Sequence, residues 1–417
     1  MLEYVASGCS FFKLMYPELR TGEGLEFFEK TLGTLQDKHG HKVSLLYNAH
    51  TEKNSGKVFK PTFKGKGIYE VYADSGGLQM VTIGANITGA MKDKVYENQA
   101  QYSDVAMCFD EIPVAYGGGR SERLNLGNRW FDKDKFEFCA RETGRNIKRQ
   151  IEIFDATKSD ARPIFIMQGN DYDTYMKWCE YAIDEVPEEM RDRIGGIAMG
   201  AAALGHGTLQ DIQRAFYYTQ LPWQPKNRHM HLLAVGSVTR LIPNIMFIQN
   251  GLYKDVWLSY DSTTHTSGSV MGRYYKDDAT YVFDRVFNDR YAEIHADIKQ
   301  IFPHFDVDLK LFYDAMNKPT RKHGEAIGNV HPLIYTYVAF VSAAIYNFTA
   351  HVEKVIKSEE AALNMFKYGS VEQNAFRALK EVKTASDFAH WEKFVGSSLD
   401  STPVKSYGTH SLEDLFV

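Results

Sequence analysis

The sequence predicts an α/β fold, a (β/α)8 TIM-like barrel with a helical C-terminal region, and three observations predict it. Short β-branched or apolar runs alternate with amphipathic segments through the first two thirds of the chain, which is the pattern of βα units and a parallel sheet. Four of those runs end in a carboxylate or a carboxamide, at the end of the strand where a barrel assembles its site from successive loops. An open doubly wound sheet would carry a glycine-rich phosphate turn after its first strand and an acidic residue after its second, and neither is evident.

In chain order the strand runs are VSLLY, IYEVYAD ending at Asp74, VAMCFD ending at Asp110, PIFIMQG with Gln168, GGIAMGA with Gly200, HLLAVG ending at Gly236, and DVWLSYD ending at Asp261. Between them, Lys133 to Phe154, Tyr172 to Asp184 and Leu209 to Thr219 carry apolar residues at three and four spacing, as amphipathic helices do. From about Tyr275 the pattern turns to helices, at Asp284 to Ile301, His331 to Ile356 and Glu372 to Val382. The reading is therefore a barrel core with the site over residues 1–275, and final barrel helices plus a helical C-terminal region over 276–417. The polar tail GSSLDSTPVKSYGTH reads as loosely held.

Composition narrows the function classes. A chain of 417 residues with 44% hydrophobic content has room for a large barrel and an appendage. Cys9, Cys108, Cys139 and Cys179 are scattered and form no CxxC pair, so neither a disulfide framework nor a thiolate zinc site is expected, and a reducing cytosol fits. The opening MLEYVASGCSFFKL lacks a basic region ahead of an apolar run, so no signal peptide is expected and a cytoplasmic location fits. The nearly uncharged Leu333 to Phe348 is interrupted by Tyr335, Thr336, Tyr337 and Asn347 and reads as a buried helix, not a membrane span.

The formal net charge of −5 means that a nucleic-acid partner would be held by local basic patches. TEKNSGKVFKPTFKGKG sets Lys53, Lys57, Lys60, Lys64 and Lys66 around Phe59 and Phe63. GGGRSER supplies Arg120 and Arg123, followed by Arg129. Each also reads as an ordinary solvated loop.

The strand-end residues carry the chemistry. Asp74 stands in DSGGLQ, whose Ser75, Gly76 and Gly77 let the backbone turn sharply and approach a ligand. Asp110 stands in FDEIP, and Asp261 in YDSTTHTSG ahead of several hydroxyls. Three aspartates facing one cavity are costly unless they bind a cation, share protons or meet a substrate rich in donors. Guanine is such a substrate, through N1 and its exocyclic amine. Capping of the following helix is the bland role for one such Asp, but it does not account for three in register with Gln168 and Gly200.

At these residues the sequence resembles the queuine and archaeosine tRNA-guanine transglycosylases. DSGGLQ is similar to that family's DSGGxQ, FDEIP to FDExxP, IMQG to VQG, GIAMGAAALG to GxAIGGLAVG, HLLAVG to YLMGVG, and YDSTTHTSG lies where FDxxxPTRxxRxG would fall. The six appear in the family's order from about residue 70 to 270, roughly half the chain. The resemblance implies that Asp261 is the nucleophile at C1′, forming a covalent glycosyl-aspartate, and that Asp74 is the acid/base for the departing and incoming bases. It implies that Asp110 reads the purine's donor edge, that Gln168 reaches its carbonyl, and that Gly200 and Ala201 offer backbone amides beside it. Leu78 and Leu233 would cover the two faces of the base. No metal or organic cofactor is required.

The departures from the family are informative. No cysteine follows Cys179, so the family's C-terminal thiolate zinc site is excluded, and His331 in HPLIY stands without partners for a metal. His206 replaces a Glu that favours an aminomethyl substrate, pointing to a neutral substituent such as 7-cyano on the incoming 7-deazaguanine. The PTR of the nucleophile loop is missing, leaving His265, which can contact phosphate or be a plain loop residue, and Thr266. Together these traits resemble the divergent DNA-guanine transglycosylases, including phage-encoded forms that insert 7-deazaguanines into DNA and hide it from restriction enzymes. The expected partners are DNA, favoured over tRNA, and a 7-deazaguanine base, with no membrane. Flipping the target base out of a duplex would call on basic loops around the barrel mouth. A tRNA enzyme, a non-catalytic accessory subunit and a glycoside hydrolase using paired carboxylates are the alternatives.

Overall fold

Eight parallel strands close on themselves in the order β1-β10-β9-β8-β7-β4-β3-β2. They are β1 (Leu2–Ala6), β2 (Lys42–Asn48), β3 (Val71–Asp74), β4 (Val105–Met107), β7 (Arg162–Met167), β8 (Gly196–Met199), β9 (His229–Leu232) and β10 (Trp257–Ser262). This computed structural model describes residues 2–8, 14, 16–39, 41–77, 87–116, 129–132, 134–169, 171–200, 207–266, 273–276, 279–282, 289–303, 307–316 and 333–399. The (β/α)8 barrel read from the strand pattern is the observed architecture, with one strand more than the seven runs recognised. The additional strand is β1, which closes the barrel by pairing with β10 on one side and β2 on the other.

Helices cover the strands: α1 (Gly22–His39), α2 (Lys53–Phe63), α3 (Gly89–Tyr102), α4 (Phe136–Ala156), α5 (Tyr172–Asp184), the short α6 (Glu188–Arg191), α7 (Thr208–Gln220) and α8 (Val238–Gln249). The inward face of α4 shows why these segments fold as they do. Phe136, Ala140, Thr143, Ile147, Ile151 and Phe154 recur at three and four spacing and are all buried, so one stripe meets the barrel. Asp171 caps α5 by accepting the Thr174 N–H at 2.9 Å, with the Thr174 hydroxyl answering at the Asp171 N–H, which fixes where that helix starts.

Two antiparallel hairpins are added to the barrel. β5 (Val114–Tyr116) pairs with β6 (Arg129–Phe131) between β4 and β7, and β11 (Arg273–Lys276) pairs with β12 (Ala279–Val282) after β10. The second corrects the reading of an all-helical pattern from Tyr275 onward. Beyond it come α9 (Asp289–Ile301), α10 (Leu309–Met316), α11 (Ile334–Lys357), α12 (Glu359–Leu363), α13 (Val371–Leu379) and α14 (Ala385–Phe394). The apolar stretch from Leu333, its N-cap, to Phe348 forms the first part of α11, which is buried against α1, α8 and β11, and no helix among the described residues is long and apolar enough to cross a membrane. The polar tail beyond 399 and Cys9 lie outside the described residues, while Cys108, Cys139 and Cys179 are buried and unpaired.

Candidate active site at the barrel mouth

Asp74 is the last residue of β3, in register with Asn48 of β2. Side chains alternate along a strand, and two residues earlier Tyr72 places its hydroxyl 3.4 Å from His229 Nε2 on the opposite wall of the barrel. Tyr72 and Asp74 therefore face the interior. The same parity holds for Asp261: Ser259, two residues before it on β10, bonds both His229 and His231 inside the barrel. The two carboxylates thus point inward from the carboxyl ends of their strands, Asp261 with a side chain 13% exposed.

Asp110 and Gln168 lie just beyond the carboxyl ends of β4 and β7. The Gln168 amide donates to Asp110 Oδ2 at 2.8 Å, and Gln168 Oε1 is buried with no hydrogen-bond partner among the described residues. Burial raises the Asp110 carboxyl from 3.8 to about 6, with the negative charge of Asp74 adding to the rise and the Gln168 bond opposing it. Asp110 Oδ1 is the carboxylate oxygen outside this bond, and with Gln168 Oε1 it gives the pair two acceptor groups for donors on a ligand edge. One Gln168 amide hydrogen is committed to Asp110, so only the other is left for a purine carbonyl.

The backbone at the rim is built for close approach. Gly76 holds φ at +78°, and the Ser75 hydroxyl accepts the Gly77 N–H at 3.2 Å, so DSGG forms the sharp turn that its glycines suggest. A Cβ at Gly200 would lie 2.5 Å from Gln168 Nε2 and 2.6 Å from the Met167 carbonyl oxygen. Any larger residue would displace the Gln168 amide from Asp110. The Gly200 N–H donates to the Met167 carbonyl at 2.9 Å, which corrects its assignment as an amide facing the base.

Asp261 is gripped on one oxygen. The Ala234 N–H donates to Oδ1 at 2.9 Å, and His231 Nε2 lies 3.3 Å from the same atom, outside hydrogen-bond alignment. Ala234 holds φ at +57°, a conformation costing roughly 1–2 kcal/mol for a residue with a Cβ. Arg240 braces it by donating to the Ala234 carbonyl at 2.6 Å while its Nε reaches Asp211 at 3.3 Å. Strain is thus held where the turn after β9 delivers an N–H to Asp261. Leu233, immediately before this turn, is half-buried at the end of β9.

Several expected contacts are not at the mouth. The basic segment is helical over Lys53–Phe63, with Phe59 and Phe63 fully buried. Lys53 and Lys57 are exposed on its first turns, after the carboxyl end of β2. Lys60 and Lys64 are carried to the amino end of β4, where they meet Asp104 at 3.2 and 2.6 Å, and Lys66 meets Glu29 at 3.6 Å. A helix antiparallel to its strand necessarily takes its last turns to the far end of the barrel, so these three do not line the mouth. His265 is 4% exposed, with Nδ1 2.8 Å from the Tyr4 hydroxyl and its ring 4.2 Å from that of Phe348. Burial lowers its pKa to about 3, so it offers no charge to a phosphate. Leu78, Arg120, Arg123, Ala201, His206 and His331 lie outside the described residues, as does the Arg129 side chain.

The residues missed from sequence are His231, Ala234 and Ser259. A signal was present: HMHLL sets His229 and His231 two apart on one strand, hence on one side of it. A comparison with protein families finds no family model that matches the chain, and a comparison with curated proteins finds no match either.

Proposed function

We propose that the protein exchanges a guanine in nucleic acid for a free 7-deazaguanine base, with Asp261 as nucleophile and Asp74 as general acid/base. The observation that carries this reading is the Asp110–Gln168 pair, a bonded carboxylate and carboxamide in the field of Asp74, on a rim into which Asp261 also points. A purine with N1–H and an exocyclic amine supplies the matching pair of donors.

In the first displacement Asp261 Oδ2 attacks C1′, the bond from C1′ to guanine N9 breaks, and Asp74 gives a proton to the departing purine. Guanine leaves, and Asp74, now ionised, takes the N9 proton of the incoming base. N9 then bonds to C1′ and the C1′–O bond to Asp261 breaks, restoring both carboxyl groups. Splitting the exchange into two displacements at one carbon lets a single carboxylate serve both directions. Carbon in place of N7 makes the new bond resistant to the reverse reaction.

DNA is the polymer proposed, because the chain departs from the tRNA enzymes in its nucleophile loop and lacks cysteines after Cys179. A 7-cyano-7-deazaguanine, an action in the cytoplasm and protection of the modified DNA from restriction belong to the same reading. Lys53 and Lys57 are the lysines of the basic segment positioned to meet a backbone at the mouth.

The test is exchange of radiolabelled guanine into duplex DNA and into tRNA, with nucleoside mass spectrometry of both polymers from cells supplied with a 7-deazaguanine. Label should enter DNA, and Asp261→Ala should abolish its entry. Label in tRNA alone defeats the DNA assignment. Hydrolysis of simple glycosides without base exchange defeats the whole reading in favour of a glycosidase.

A further inference from the structure

TIM-barrel interiors are usually filled by layers of branched aliphatic side chains. Here a chain of polar groups crosses the interior instead. Glu3 accepts from the Tyr72 hydroxyl at 2.9 Å, from Trp257 Nε1 at 3.0 Å and from the Ser44 hydroxyl. Tyr72 lies 3.4 Å from His229 Nε2, that nitrogen lies 2.7 Å from Ser259 Oγ, and Ser259 Oγ lies 2.8 Å from His231 Nδ1. His231 Nε2 then stands 3.3 Å from Asp261 Oδ1. Glu3, Tyr72, His229, His231 and Ser259 are all completely buried, so their geometry is set by packing and by one another.

We propose that Ser259 and His231 form a positioning relay that restrains Asp261 through Oδ1 and leaves Oδ2 to bond the anomeric carbon. The proposal rests on the reading of Asp261 as the nucleophile.

The direction of the hydrogens follows from the neighbours. Burial, with His231 and Arg162 adding to it, drives His229 well below its ordinary pKa, so that ring is neutral with one proton. Its Nδ1 has no partner among the described residues, and a buried donor without a partner costs more than an acceptor without one. The proton therefore sits on Nε2, facing Ser259 Oγ. Ser259 accepts it and spends its own hydrogen on His231 Nδ1. His231 Nε2 is left carrying a proton, 3.3 Å from Asp261 Oδ1 and not yet aligned with it. The opposite arrangement would set a lone pair against a carboxylate oxygen at 3.3 Å. Oδ1 already accepts the Ala234 N–H, and the 3.3 Å approach of His231 Nε2 to the same oxygen is of the kind that tightens into a second bond once substrate is bound. The same N–H steadies the carboxylate as it departs in the second displacement.

The full-length chain and its variants are assayed for exchange of radiolabelled guanine into duplex DNA and tRNA. His231→Ala should lower kcat by roughly 100-fold with KM for guanine nearly unchanged, because the base contacts are made elsewhere. His231→Gln, which keeps a side-chain N–H on the same wall, should recover much of that loss, and Ser259→Ala should fall between. Unchanged kcat in His231→Ala overturns the relay, and so does a His231→Gln variant that folds with a wild-type melting midpoint but is as slow as His231→Ala. Asp261→Ala separates the two readings: if it retains exchange, the nucleophile assignment fails. The relay still has its own readout in ¹⁵N-histidine NMR of the full chain. A proton on His231 Nε2 whose resonance moves upfield in Asp261→Asn supports it, and a proton on Nδ1 overturns it.

Discussion

Asp110 is held in two opposing ways by its surroundings. Burial raises its carboxyl from 3.8 to about 6, yet reading a donor edge calls for the ionised form. The sign of the stability effect follows from the direction of the shift. Because the folded pKa is raised, the fold binds a proton that the unfolded chain has released, so the contribution is complete below about pH 4 and is lost as pH rises through about 6. A shift of this size corresponds to roughly 3 kcal/mol. Asp110→Asn should therefore raise stability at pH 7.5 by up to about 3 kcal/mol and give little gain at pH 3.5, as read by urea unfolding at the two pH values, while abolishing guanine exchange. A gain of equal size at both pH values would contradict the account. The placement of Asp74, Asp110, Gln168 and Asp261 at or just past the carboxyl ends of barrel strands was legible, because each closes a recognisable strand run and such an end has only one place to be in a barrel. His265 was not. The Tyr4 and Phe348 rings that enclose it come from opposite ends of the chain, and no local pattern announces such a neighbourhood. The grip on Asp261 escaped notice for a related reason: the Ala234 amide acts through its backbone, so its identity as alanine carries no signal.

Helix α5 was legible to the residue, because a capping aspartate and a clean apolar stripe coincide there. Helix α2 was hidden by its lysines. Their spacing suggested a basic loop, although Phe59 and Phe63 at four spacing already marked a buried face. The contact between α4 and α5 shows what a helix pattern leaves out. A Cβ on Gly144 of α4 would fall 2.2 Å from the Ala182 carbonyl oxygen of α5, so the helices touch backbone to backbone at that point. Backbone cannot rotate aside as a side chain can. Gly144→Ala should accordingly destabilise the fold by about 1–3 kcal/mol despite the better helix propensity of alanine, measured as a drop in thermal midpoint. An unchanged or raised midpoint would mean that the two helices separate at no cost. Because α4 and α5 stand behind β7, exchange activity of the folded variant should change far less than its stability.

The barrel as a whole is closed by β1, the strand absent from the sequence-based list of runs. LEYVA is short and carries no polar residue at a strand end to mark it, and only its register with Asp261 and Ser44 reveals its role. Closure brings Glu3 into the centre of the interior, between the Tyr72 and Trp257 donors and in the field of Glu70. Burial, with the Glu70 charge adding to it, raises the Glu3 carboxyl from 4.5 to about 8. The fold is then stabilised by a proton that it keeps after the unfolded chain has lost its own, and this contribution is lost as pH rises toward and through about 8. Between pH 6.5 and 8.5 the wild-type chain should lose on the order of 2 kcal/mol through this one group. Glu3→Gln stays neutral at every pH and keeps an acceptor for Tyr72 and Trp257, so its stability should be nearly flat over the same interval. Urea unfolding of both proteins at the two pH values decides the matter: parallel losses would show that the ionisation of Glu3 is not coupled to folding.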